Sequence, residues 1–81
     1  MTEYNDIQTI SFGYTPRYRV VSVNVNGGSL VIETINKSGT ATVADTITVD
    51  SAFEYATAGQ TLRFSPAAGA TYAIDMIQFG V

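Results

Sequence analysis

Asp45, Asp50 and Asp75 are the acidic side chains near strand-like sequence that would suit an acid pair or an oxygen-ligand cation site. Their spacing brings no two together, and no Asp-x-Asp-x-Asp calcium loop occurs. They are therefore expected to face solvent or to cap turns. Asp75 stands apart, set within Ala73-Ile74-Asp75-Met76-Ile77. A carboxylate buried alone is costly, so it should either pair with Arg63 or Arg19 or lie exposed at a sheet edge. Ser11, Ser22, Ser29, Ser38, Ser51 and Ser65 have no histidine to activate them, because the chain contains neither histidine nor cysteine. The same two absences remove disulfides, thiolate zinc sites, thiol nucleophiles and the usual general base near neutral pH. Lys37 falls in a turn-like run, where its amine should stay solvated and protonated. Gly27-Gly28 is not a phosphate loop, since no Gly-Lys-Ser/Thr follows it. The chain is expected not to be an enzyme, with no catalytic residues, no cofactor and no metal ligands.

Binding chemistry is better represented. Arg17-Tyr18-Arg19, with Tyr14 just before it, is the densest polar and aromatic patch. Such residues are enriched at protein interfaces, but two arginines also commonly cover a sheet face and lie over tyrosine rings. Both readings stay open. Five tyrosines and four phenylalanines suit stacking on sugar rings, yet tryptophan is absent and a small core needs most of those rings. A net charge of −3 with four cationic residues argues against nucleic acid, which is bound by neutralising phosphates. No apolar run approaches a membrane span. The opening Met1-Thr2-Glu3-Tyr4-Asn5-Asp6 is acidic and polar, unlike a secretory signal, so synthesis in the cytoplasm is expected.

These residues have to be positioned by strands. The 81 residues allow one domain, and 46% hydrophobic with 14% charged residues indicates a chain that folds. Residues 17–25 alternate Arg19, Val21, Val23 and Val25 against Tyr18, Val20, Ser22 and Asn24, the period of a strand. Asn26-Gly27-Gly28 supplies residues suited to a tight hairpin turn, and residues 29–35 resume with Leu30 and Ile32. After a turn at Asn36-Lys37-Ser38-Gly39, residues 40–50 carry Ala41, Val43, Ile47 and Val49 on one parity with Asp45 and threonines on the other. That predicts an aliphatic-in, threonine-out strand with a bulge or break near Ala44-Asp45. Residues 50–60 suit either a short helical turn at 52–56 or a loop. Residues 60–65 form a short strand with Leu62 and Phe64 inward and Arg63 outward, and Pro66-Ala67-Ala68-Gly69 is a turn. Residues 70–79, apolar on both parities, read as a central or an interface strand, and residues 7–12 as a first strand contributing Ile7, Ile10 and Phe12. Six strands at this spacing point to an all-β antiparallel sandwich, with a compact jelly roll as one form of it, and to residues 1–6 as a mobile arm.

A core of this size without disulfide or metal is expected to gain stability from a partner or a second copy. Tyr14, Arg17, Tyr18, Arg19, Tyr72, Ile77 and Phe79 are the candidate contact residues. In texture the chain, above all Ser38-Gly39-Thr40-Ala41-Thr42-Val43-Ala44-Asp45-Thr46-Ile47-Thr48-Val49, resembles the small head decoration or cement proteins of tailed phages. That resemblance implies a virion structural protein that forms a homo-oligomer, a trimer above all, and bridges subunits of the phage major capsid protein. The ending Ala73-Ile74-Asp75-Met76-Ile77-Gln78-Phe79 also looks like the last strand of some carbohydrate-binding jelly rolls. This implies the alternative of a sugar- or host-surface-binding module of a fibre or spike.

Overall fold

The computed structural model describes the backbone of residues 2–79 and the side chains of residues 2–77. Seven strands follow one another: β1 (Gln8–Ser11), β2 (Arg17–Asn26), β3 (Ser29–Ile35), β4 (Ala41–Ile47), β5 (Ser51–Thr57), β6 (Thr61–Ala67) and β7 (Thr71–Phe79). They make two antiparallel sheets, one of four strands ordered β1-β6-β3-β4 and one of three ordered β5-β2-β7. Apart from the β3–β4 link, every connection carries the chain from one sheet to the other. The fold is a small β-sandwich. Two pairs of a jelly-roll ribbon are present, β2 with β7 and β3 with β6, while β4 pairs with β3 and β5 with β2.

The alternation expected along β2 fills the space between the sheets with Val21, Val23 and Val25. Leu30 and Ile32 of β3, Leu62 and Phe64 of β6, Ile47 of β4 and Tyr72 of β7 meet them, and Phe12 closes one end. Burying such side chains contributes about 1.5 to 3 kcal/mol each, which is the main stabilising force in so short a chain. Ile7, expected inside, has the outward parity of β1 and is exposed, whereas Ile10 is half-buried and Phe12 buried.

The link at Gly27-Gly28 is not a hairpin. β2 and β3 belong to different sheets and face each other across the core, so the two glycines carry the chain over the end of the sandwich. They cross beside the link from β6 to β7, where a Cβ on Gly28 would overlap the Ala67 carbonyl oxygen and press on Ala70 Cβ at 3.0 Å. Only a residue without a side chain allows two crossings to lie that close.

Residues 51–57 are a strand rather than a helical turn or loop. Phe53, Tyr55 and Thr57 point inward and Ala52, Glu54 and Ala56 outward, and Arg17↔Thr57 through Val23↔Ser51 pair them with the free edge of β2. Alanine and glutamate lend the segment a helical composition, which the ladder overrides.

In β4 the register shifts at Ile32/Glu33, because Ile32 faces Asp45 while Glu33 faces Val43, leaving Ala44 as the extra residue of a bulge. The bulge reverses parity, so Val43 turns to solvent and is 58% exposed. Val49 lies beyond the end of the strand and is 67% exposed, leaving Ile47 as the buried aliphatic residue of β4. Pro66 lies within β6, opposite Leu30, and the turn comes later, at Ala68-Gly69. Proline is tolerated because β1 pairs with β6 only as far as Phe64, so one side of the strand is unpaired at that point. β7 is an edge strand, not a central one.

Candidate functional site

The outer surface of the three-stranded sheet carries exposed apolar residues from two of its strands. Its rows follow from the register: Ala56, Tyr18 and the backbone of Phe79 in one, Glu54, Val20 and Ile77 in the next, then Ala52, Ser22 and Asp75. Tyr18 is 66% and Ile77 54% exposed, with half-buried Val20 alongside. A cleft of about 240 Å³ lined by Pro16, Arg17, Tyr18, Ala56, Thr57 and Ala58 borders the Tyr18 row. Glu54 and Asp75 lie exposed on this surface. Asp75 is thus at an edge strand as one expectation had it. It is not paired with Arg63 or Arg19, for Arg63 holds Glu33 with bonds of 3.1 and 2.9 Å on the outer face of the other sheet. The paired Arg63 guanidinium lowers the Glu33 pKa, and the carboxylate raises that of Arg63.

Of the candidate contact residues, Tyr18 and Ile77 share this surface and the backbone of Phe79 is opposite Tyr18, although the Phe79 side chain lies outside the described residues. Tyr72 does not belong to the set. It is 1% exposed and faces the core, its hydroxyl donating to the Asp6 carbonyl at 2.7 Å and to that of Phe64 at 3.3 Å. Burial first, then the nearby Asp6 charge, push its pKa up to about 12. Arg19 has inward parity, donating from Nε to the Thr57 hydroxyl at 2.8 Å with its guanidinium 4.5 Å from the Phe12 ring centre. It covers a phenylalanine, where the arginines were expected to lie over tyrosines. Arg17 donates to the neighbouring Pro16 carbonyl.

Tyr14 lies at one end of the sandwich, where Gly59 N–H to Gly13 O and Phe12 N–H to Gln60 O join the loops at 12–16 and 58–60 and Lys37 of the loop at 36–40 lies beside Gly59. It is 73% exposed, its ring packed against Gly59 with Lys37 Nζ 4.8 Å from the ring centre. The expected turn at Asn36 to Gly39 holds Lys37 there, since Asn36 Oδ1 accepts from Ser38 N, Ser38 Oγ and Thr40 N.

The remaining carboxylates are in structural roles. Asp50 accepts the Val25 N–H at 2.9 Å, a cap on the chain beside the crossing links. Asp45 is half-buried instead of solvent-facing, because it shares the inward parity of Ile47 and accepts the Tyr55 hydroxyl at 2.9 Å across the sandwich. Burial, with that bond second, raises the Tyr55 pKa. Among the described residues no three His, Cys, Asp or Glu side chains gather to hold a metal ion. The start of the chain, expected as an arm, has a docking place: Tyr4 and Tyr72 exchange backbone bonds of 2.7 and 2.9 Å on the outer edge of β7.

Compared with protein-family models, curated proteins and solved structures, the chain matches none.

Proposed function

We propose that this chain is a non-enzymatic structural domain that works by assembly, using the outer face of its three-stranded sheet as the contact surface. Tyr18 and Ile77, exposed side by side with Val20 on the flat of one sheet, carry this reading. Exposed apolar residues grouped together on one face mark a contact site, and a core this small gains from a neighbour. Within that class the resemblance in texture supports a decoration or cement protein of a phage head. Such a homotrimer would bridge the major capsid protein of the virion. Its mechanism would be linkage: it binds the assembled shell and not the loose subunits, and so raises the stability of the assembled state. The test is the melting temperature against protein concentration. Assembly makes it rise with concentration, and Tyr18→Ser with Ile77→Ser should abolish the rise.

A second reading, sugar or host-surface binding, rests on the exposure of Tyr14 and Tyr18, the rings among the described residues most open to stacking. Lys37 and Gly59 already flank the Tyr14 ring. Glycan binding by a monomer, lost in Tyr18→Ser, would favour it over assembly.

A further inference from the structure

We propose that copies of this chain join head to tail, the outer face of the three-stranded sheet of one copy seating the Tyr14 and Lys37 end of the next. The inference rests on the assembly reading and specifies its partner and geometry. The apolar residues of the face are framed by Glu54, in the row of Val20 and Ile77, and by Asp75 in the next row. Both carboxylates are exposed and make no side-chain hydrogen bond or ion pair among the described residues. No outward-facing position of β2, β5 or β7 is lysine or arginine.

A two-fold contact of this face with itself would bring four carboxylates together with no lysine or arginine on the outward-facing strand positions to meet them, and desolvating unpaired charges is costly. The complement lies elsewhere on the same chain. Of the four cations, Arg63 is held by Glu33 on the opposite sheet, Arg19 is turned inward over Phe12, and Arg17 is engaged at the start of β2 with the Pro16 carbonyl. Lys37 is presented on an exposed turn against an exposed tyrosine ring, an apolar and cationic knob to set against an apolar and acidic face. A standard interface takes about 800 Å² from each partner, roughly a sixth of the 4759 Å² that one copy exposes. The flat of a sheet and the end of its strands lie crosswise, so each contact turns the next copy, and a series of such contacts forms a ring where the rotations complete a turn.

Light scattering over a dilution series of four chains tests this: the unaltered chain, Lys37→Glu, Glu54→Lys with Asp75→Lys, and all three substitutions together. Each altered position is exposed, and circular dichroism checks that every variant folds. The unaltered chain should associate, either reversal alone should weaken association by about tenfold or more, and the triple variant should regain most of it. Association of Lys37→Glu equal to that of the unaltered chain, or a triple variant no better than the single reversals, would overturn head-to-tail joining. If Ile77→Asp still dissociated the assembly in that event, the assembly reading would stand without this geometry. An unaltered chain that stays monomeric at every concentration would remove both.

Discussion

A methyl group is the smallest side chain that can be added to Gly28, and even that collides with the backbone at Ala67. The clash is with a carbonyl oxygen and not a flexible side-chain tip, so relief requires moving one of the two sheet-crossing links. Gly28→Ala should cost about 1 to 3 kcal/mol, read from urea unfolding, without altering the outer sheet surfaces. Tyr72 makes a second residue-scale prediction. Its folded pKa, about 12, lies above the ordinary 10.0. A group whose pKa is raised on folding contributes stability that is fully present below the unfolded value and is lost as pH rises through the folded one. Stability should therefore fall between about pH 10 and pH 12, on the order of 2 kcal/mol from this group. Tyr72→Phe should flatten that decline while losing the hydroxyl bonds to Asp6 and Phe64. Denaturant midpoints followed against pH, with tyrosinate absorbance, check it.

At the scale of strands, β4 and β5 are edge strands of opposite sheets tied together by Tyr55 and Asp45. Tyr55→Phe removes the bond, leaves a half-buried carboxylate without its donor and should cost about 1 kcal/mol. Hydrogen exchange should quicken first in β4 and β5, which checks that the loss is local. Much of the element pattern was legible in the sequence. Strict alternation marked β2 and β3, Leu62 and Phe64 marked β6, and Ala44-Asp45 was recognisable as a bulge. Its consequence was not, since counting parity straight through residues 40–50 placed Val43 inside, whereas the extra residue turns it out. Gly27-Gly28 was misread for a related reason. A two-glycine link serves a hairpin and a sheet crossing equally well locally, and the choice is made by which distant strands pair, here β5 and β7 with β2. β5 was hidden because Ala52, Glu54 and Ala56 are helix formers, and only the waiting edge of β2 makes their alternation a strand.

The candidate contact residues show the same division at the scale of the whole molecule. Tyr18 and Ile77 were legible as surface residues, and the register brings them together on one sheet from positions far apart in the chain. Tyr72 and Arg19 have the same residue types but the opposite parity, and parity against the core is settled only when two sheets close on each other. Assembly through the Tyr18 and Ile77 face is the central claim. The most direct test is the solution mass of the purified chain across a dilution series, beside Ile77→Asp. The unaltered chain should form a closed oligomer that dissociates on dilution, while Ile77→Asp, changed at an exposed position, should remain a folded monomer. A chain that is monomeric at all concentrations, or an oligomer indifferent to Ile77→Asp, would contradict it.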